Sequence, residues 1–518
     1  MEKVKNRLVA ESRLLRQGKR GLFRIIFSRS MLLMLLLAAN FLVFFLFAFR
    51  LLQGLPLLFG SVTVFTAVVL IIVLNDRGDP SIKLSWCVMI ALVPLPGAVM
   101  YFFNRYNLGS RVSVRLLKSS IADSLPYIGA GRAPASEDAG LAHYLRNAGP
   151  FPAYGNSDVQ YFPLGDDMFP EMLRQLEKAE KFIFLEYFII VPGKMWGEIL
   201  KTLCEKAKQG VEVRLLYDGM NSVANLPYGY PKQLQQMGIK CKVFSPVTPF
   251  VSTHYNNRDH RKILVIDGHT AFTGGINLQD RYINEELVCG HWKDTGVMVR
   301  GEAAQGFTML FLQMWNATER ERIYEPYLVP QRAEGARGLV IPYGDIPSDA
   351  ENVGETVYLT MLNQAKRYAY IMTPYLILDG QMLGALRMAA MRGVDVRIIL
   401  PHIPDKRTAF ALAQNHYREL LEAGVKIYEY TPGFVHAKVF LCDDRHGAVG
   451  TVNLDYRSLY LHYECGAYLY DVEALGDIRR DFDETMEKSQ QITLENMKNK
   501  RLLLRLLGKV LRVIAPLM

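Results

Sequence analysis

The feature that most constrains this 518-residue chain is an eight-residue pattern that occurs twice. His260-Arg-Lys262-Ile-Leu-Val-Ile-Asp267 and His436-Ala-Lys438-Val-Phe-Leu-Cys-Asp443 both read H-x-K-x-x-x-x-D. Each is followed by a glycine-bearing segment that ends in asparagine, Gly274-Gly275-Ile-Asn277 and Gly450-Thr-Val-Asn453. In both copies the asparagine lies 15 residues after the lysine. Repetition at constant internal spacing implies a duplicated structural unit. Other echoes agree: Gly210-Val-Glu-Val-Arg-Leu-Leu aligns with Gly393-Val-Asp-Val-Arg-Ile-Ile, and Glu186-Tyr-Phe-Ile-Ile with Pro374-Tyr-Leu-Ile-Leu.

Each motif has the grammar of a strand, an apolar β-rich run closing on an acidic residue and a turn. Residues two apart on a strand share a face. His260 and Lys262 therefore point the same way, as do His436 and Lys438. Asp267 and Asp443 have the opposite parity, which favours a structural anchor over contact with substrate.

A histidine beside a lysine suits phosphate chemistry. Lysine places a compact positive charge on non-bridging oxygens, and neutral imidazole is a nucleophile able to carry a phosphoryl group. Two copies divide the labour. One neutral imidazole attacks phosphorus; the other, protonated, gives its proton to the leaving alkoxide and later takes one from the incoming alcohol. Asn277 and Asn453 are placed to hydrogen-bond developing charge on the phosphate.

These paired motifs resemble those of the phospholipase D superfamily. The context narrows the resemblance. The first motif sits in Asn257-Arg-Asp-His260 and is trailed by His291-Trp-Lys-Asp294-Thr-Gly. The second is trailed by Asn453-Leu-Asp455-Tyr-Arg457-Ser458-Leu-Tyr-Leu-His-Tyr-Glu464. With the apolar N-terminal segments, the chain is similar to bacterial cardiolipin synthases of the phospholipase D type. The resemblance implies two α/β lobes, each a mixed β-sheet flanked by helices, preceded by transmembrane helices. It implies a catalytic set of His260, Lys262, Asp267, His436, Lys438 and Asp443, with Asn277, Asn453, Glu464 and Asp294 at the substrate. In the family an acidic residue orients each catalytic imidazole. Glu464 matches that position, whereas Asp294 follows its lysine by 32 residues rather than 26. The activity implied is transfer of a phosphatidyl group between two phosphatidylglycerol molecules, giving cardiolipin and glycerol through a phosphohistidine, with His260 as the nucleophile. A phospholipase D-type hydrolase, or a transferase using another alcohol, would share the same motifs.

Charge location separates classes that the motifs do not. The formal net charge is +9, yet residues 1–30 carry +7, residues 31–118 carry +5 and residues 491–518 carry +5, leaving −8 on the stretch between. A nuclease of the superfamily would need basic groups around its groove. Basic ends flanking an acidic enzyme instead favour an anionic membrane surface, so phosphatidylglycerol and other anionic lipids are the expected partners, with no nucleic acid. There is no G-x-x-x-x-G-K-[ST] phosphate loop, and the six cysteines form neither a zinc framework nor a disulfide pattern. No cofactor and no metal are expected.

Along the chain, residues 1–30 read as a basic cytoplasmic segment rather than a signal peptide. Residues 31–104 read as a transmembrane region. Met31 to Phe49 and Leu57 to Leu74 are long enough to span, and Leu84 to Phe103, interrupted by Pro94-Leu-Pro96-Gly97, forms a third span or a re-entrant hairpin. Arg105, Arg111, Arg115 and Lys118 follow, which places the enzyme on the cytoplasmic side of a bacterial cell membrane by the positive-inside rule. Residues 105–157 read as a linker, 158–325 and 339–490 as the two lobes with a boundary over Pro326 to Gly338, and 497–518 as a basic amphipathic surface helix.

Overall fold

The computed structural model describes the chain from residue 59 onward, except 107–110, 130, 132–138, 248–255, 330, 348–350, 499–510, 514 and 518; before residue 59 it describes only positions 42 and 46. The predicted basic segment, nearly all of the first predicted span and most of the predicted C-terminal helix lie outside the described residues.

Continuous apolar runs bounded by glycine-bearing turns build two sheets of the same design. In chain order the first takes β1 (Ser157–Phe162), β2 (Phe182–Tyr187), β3 (Glu212–Asp218), β4 (Ile239–Phe244), β5 (Lys262–Ile266) and β6 (Thr270–Gly274). After the short β7 (His291–Lys293) it closes with β8 (Gly296–Gly301). The second takes β9 (Leu339–Asp345), β10 (Tyr368–Met372), β11 (Asp395–Pro401) and β12 (Lys426–Tyr430); after the short β13 (Gly433–Val435) come β14 (Val439–Cys442), β15 (His446–Gly450), β16 (Glu464–Tyr470) and β17 (Ser489–Ile492). The orders are β1-β8-β6-β5-β2-β3-β4 and β17-β12-β11-β10-β14-β15-β16-β9. Read in opposite directions they coincide strand for strand, with β17 added at one edge. Central strands such as β2 (FIFLEY) are buried along their whole length, as expected where helices cover both faces of a sheet.

The two sheets share a core. Helix Ala304–Asn316 is buried nearly all round, the signature of a helix between layers rather than on a surface. It packs against β2, β5, β6 and β8 on one side and β9 on the other. Stacked Tyr358 and Phe440, with ring centroids 3.8 Å apart, belong to the same core cluster.

The motif aspartates anchor the sheets. Asp267 accepts backbone N–H donors from Glu180, Lys181 and Phe182 at 2.8, 2.7 and 2.8 Å. Asp443 accepts from Lys366, Arg367 and Tyr368 at 2.7, 2.9 and 2.9 Å. Both sit at positive φ, 51° and 55°, a conformation aspartate tolerates better than most residues. The equivalence corrects one sequence alignment. Phe182 corresponds to Tyr368, so Glu186 falls opposite Met372 rather than Pro374. The glycine echo is upheld: Gly210 and Gly393 take φ of 92° and 93° at the entry to β3 and β11.

One N-terminal reading changes. Residues 105–157 are not simply a linker. Helices Arg111–Ser124 and Ala139–Ala148 form there, and Leu117, Leu141 and Leu145 join the core. Ser120 Oγ donates to the Gln313 carbonyl at 2.8 Å. Small residues that read as linker composition permit this close packing.

The third apolar stretch, read as interrupted over residues 94–97, breaks at Val93. Helix Pro80–Leu92, capped by Asp79, ends at Val93, and Pro94 opens helix Pro94–Arg105. The two fold together at Gly97, where a Cβ would lie 2.9 Å from Ile90 Cα. With helix Phe59–Asn75 they enclose Val69, Val73, Trp86, Ile90, Ala98 and Tyr101. Among the described residues no helix is long and apolar enough to cross a membrane. Phe59–Asn75, at 17 residues, reaches only about 25 Å.

Replacing Asp267 by alanine strands three backbone donors and leaves a positive φ unsupported. Loss of roughly 2–4 kcal/mol is expected, seen as a lowered thermal midpoint; a melt superimposable on wild type would contradict the anchoring role.

Candidate active site

The two motifs meet because each histidine is docked on the other lobe. β13 pairs in parallel with β7, matching Gly433 to His291, Phe434 to Trp292 and Val435 to Lys293. The ribbon ends with the His436 N–H donating to the Lys293 carbonyl at 2.7 Å. At the equivalent place Asp259 bridges in parallel to Tyr463, and the His260 N–H donates to the Tyr463 carbonyl at 2.9 Å. In both cases the next residue along the accepting strand is an acid.

Those acids hold the imidazoles. His260 Nδ1 lies 2.9 Å from each oxygen of Glu464, and His436 Nδ1 lies 2.6 Å from Asp294 Oδ2. A carboxylate acceptor assigns the proton to Nδ1 and leaves Nε2 with its lone pair. Asp294, which sequence spacing left uncertain, is the true counterpart of Glu464. Gly274 pairs with Gly296 and Gly450 with Gly466, and each acid stands two residues before the second glycine. The six extra residues of the first copy are absorbed by the segment between Asn277 and β7.

The acids are themselves fixed. Ser458 Oγ donates to Glu464 Oε1 at 2.5 Å, and Thr451 Oγ1 donates to Oε2. Asp294 Oδ1 accepts the Thr295 N–H at 2.9 Å. Gly275, at the position of Thr451, admits Asp294: a Cβ there would fall 2.0 Å from its Oδ1. Around the rings stand Phe188 beside His260, 5.1 Å between centroids, and Tyr282 and Trp292 beside His436, at 5.4 and 5.5 Å.

Burial sets the electrostatics. Desolvation is the largest influence on both imidazoles and lowers their pKa to about 3 for His260 and about 4 for His436, against the pull of the partner carboxylates. Both rings are therefore neutral at pH 7. Burial alone would raise Glu464, but His260 and then His462 hold it well below the ordinary carboxylate range. Asp294 is likewise lowered, with His436 and Lys438 reversing the effect of burial. Burial depresses Lys262 to about 8 and Lys438 to about 7. Lys438 also feels Lys262 across the lobe boundary, so the two motifs are electrostatically one site. Lys262 Nζ donates to the His260 carbonyl at 2.6 Å, and Lys438 Nζ to that of His436. Lys438 Nζ also lies 2.9 Å from His436 Nδ1; with the Nδ1 proton directed at Asp294, that approach is a contact and not a second hydrogen bond. The histidine side chains retain 9 % and 11 % exposure, so the site is narrow rather than sealed.

Not every residue expected at the site is there. Asp267 and Asp443 lie at the far ends of the motif strands, roughly 16 Å from the lysines at 3.3 Å per residue. Asn277 is occupied by the fold: Oδ1 accepts from the Ile189 N–H at 3.0 Å and Nδ2 donates to Tyr282 Oη at 2.8 Å. Asn453 differs, because its Oδ1 is buried with no hydrogen-bond partner. Sequence reasoning missed Thr451, Ser458 and Tyr282 as supports. It also missed His462, in the bend two residues before Glu464 that leads into β16. His260, His462 and Glu464 are the one group of potential metal ligands among the described residues, with atoms within 4.8 Å of one another.

Known proteins resemble this chain in sequence and in fold. The family model described as "Cardiolipin synthase, PLD-like domain" matches residues 172–315 and 358–486, and a "Phospholipase_D-nuclease N-terminal" model matches residues 63–103. The chain is 50 % identical over 452 residues to an uncharacterized protein of Streptococcus mutans, covering 86 % of this chain and 98 % of that one. It is 35 % identical over 466 residues to a cardiolipin synthase of Alkalihalophilus pseudofirmus, covering 86 % and 91 %. A cardiolipin synthase of Geobacillus kaustophilus is 35 % identical over 462 residues, covering 87 % and 91 %. Among solved structures, a phosphatidylserine synthase of Haemophilus influenzae shares the fold, with a TM-score of 0.57, 16 % identity, and coverage of 73 % of this chain and 99 % of that one. Twinned motifs, matching sheets and these relatives lead to one conclusion: the chain belongs to the cardiolipin synthase, phospholipase D-like family.

Proposed function

We propose that the chain is a cardiolipin synthase that exchanges one phosphodiester for another between two phosphatidylglycerol molecules. The observation that carries this reading is the reciprocal clamp, in which the imidazole of each lobe is held through Nδ1 by a carboxylate of the other. His260 Nε2 attacks phosphorus, the P–O bond to glycerol breaks, and His436 delivers the proton that the leaving oxygen needs. A hydroxyl of the second phosphatidylglycerol then loses its proton to His436 and attacks, and the N–P bond to His260 breaks. The lipid phosphate supplies the negative charge that lets His436 acquire its proton beside Asp294. Lys262 and Lys438 neutralise the non-bridging oxygens, and Asn453 offers a further polar group. Asp267 and Asp443 serve the fold.

The same reading sets the chain in a bacterial cell membrane with its lobes, residues 158–325 and 339–490, on the cytoplasmic side. Basic ends support it, as do the apolar side chains exposed on the N-terminal helices, among them Val64, Ile71, Leu84 and Leu92.

Purified protein given phosphatidylglycerol vesicles without nucleotide should form cardiolipin and release glycerol. Phosphatidic acid as the sole product would instead indicate hydrolysis, and a mixed lipid supply would expose another acceptor. His260→Ala and His436→Ala should each lower the rate by at least about 10³-fold. Acid quenching should trap the phosphatidyl group on His260; finding it on His436 alone would reverse the assignment. Glu464→Gln and Asp294→Asn should each cost roughly 10²–10⁴-fold in kcat with little change in fold by circular dichroism.

Because both lysines are depressed, their charge is present below about pH 7 and lost as pH rises past about 8. The KM for phosphatidylglycerol should therefore climb between pH 7 and 9. Lys438→Arg, which stays charged, should flatten that rise; an unchanged slope would argue against lysine titration.

A further inference from the structure

The lysines, carboxylates and motif histidines all have partners in the chemistry above; His462 does not. Its side chain is 12 % exposed, yet neither ring nitrogen has a hydrogen-bond partner. Its ring lies 5.5 Å from that of His260, and its Nδ1 lies 3.7 Å from Glu464 Oε1. Beyond that long approach to Glu464 neither nitrogen is satisfied, and an imidazole nearly nine-tenths buried in that state is expensive unless a further group completes its environment.

We propose that His260, His462 and Glu464 form an inhibitory site for a borderline divalent cation such as Zn²⁺. Two imidazoles and one carboxylate are a ligand set that zinc accepts with a fourth position open. Ligand bonds of about 2.0–2.2 Å at tetrahedral angles put ligand atoms about 3.3–3.5 Å apart. The observed separations from Glu464, 2.9 Å to His260 and 3.7 Å to His462, straddle that edge; the third edge, between the two rings, is at most 4.8 Å, so closing the site draws the imidazoles together by up to about 1.4 Å. Hard cations such as Mg²⁺ prefer oxygen ligands in octahedral geometry and fit poorly.

Occupancy disables the nucleophile whichever nitrogen binds. A cation on Nε2 takes the lone pair that would attack phosphorus. A cation on Nδ1 displaces the proton held toward Glu464 to Nε2, and the lone pair there is lost by tautomerisation. In neither case does the ring gain or lose a proton overall. Glu464, once a ligand, also ceases to orient the ring. Thr451 and Ser458, which hold the carboxylate from its other sides, supply the outer hydrogen bonds that such ligands need.

The inhibition half of the inference rests on the proposed phosphatidyl transfer; the binding half does not, and the two are read separately. Full-length protein is stripped with chelator and titrated with ZnCl₂ while cardiolipin formation is followed. In parallel, Co²⁺ is titrated and its visible absorption recorded, with no lipid present. Wild type should be inhibited reversibly by Zn²⁺ and not by equal Mg²⁺, and should give the intense spectrum of a four-coordinate Co²⁺ site. His462→Gln and His462→Ala, each compared with its own metal-free rate and checked by thermal melt, should weaken inhibition and Co²⁺ affinity at least about tenfold, since losing even a hydrogen bond behind a ligand costs that much. Equal Zn²⁺ sensitivity in the folded variants, or a Co²⁺ spectrum that survives them, overturns the site. If no variant and no wild type makes cardiolipin but Co²⁺ binding still depends on His462, the cation site stands and the transferase reading fails.

Discussion

The site depends on two hydrogen bonds that cross the boundary between the lobes. Glu464 belongs to the second sheet but holds His260, and Asp294 belongs to the first but holds His436. Neither lobe alone contains an oriented imidazole. Charges this deeply buried are tolerable only when paired and hydrogen-bonded, and the inventory is close to balanced. Two carboxylates face two lysines, and two neutral rings lie between them. An anionic phosphate entering this set meets donors already fixed in place, the arrangement that stabilises developing charge most effectively.

Rigidity of the boundary follows from that demand. Helix Ala304–Asn316 is packed between the sheets, and the parallel ribbon of β7 with β13 stitches the motif of one lobe to the acid of the other. The duplication is chemically imperfect in a useful way. Where the first half has Gly275 making room for Asp294, the second has Thr451 donating to Glu464. Tyr282 and Trp292 surround one ring, Phe188 and His462 the other. Two imidazoles in unlike surroundings are suited to the unlike tasks proposed for them.

Much of this was legible from residue order. The repeated pattern located His260, Lys262, His436 and Lys438, and strand parity separated them from Asp267 and Asp443, whose carboxylates collect backbone donors at the opposite end. Other residues misled. Asn277 matched Asn453 by spacing, yet its amide is consumed by Ile189 and Tyr282. The small residues of 105–157 read as linker because composition does not reveal that Leu141 and Leu145 meet a core built by residues far along the chain. The interruption at Pro94 was visible, since proline lacks the N–H an uninterrupted helix would use, and a hairpin there was one of the two alternatives; the close approach of Gly97 to Ile90 was not.

Local chemistry and periodicity are written in the order of residues, so the chain alone determined that two like α/β units exist and that each carries a histidine and lysine on one strand face. Which acid serves which histidine is another matter. Spacing along the chain put an acid after each motif without saying which imidazole it holds, and made Asp294 look out of place. Only the sheet register, with six residues looped out before β7, shows Asp294 and Glu464 to be equivalents that cross over. The physical reason is that a hydrogen bond of 2.6–2.9 Å is set by how two separate sheets pack, and no property of either segment in isolation encodes that distance.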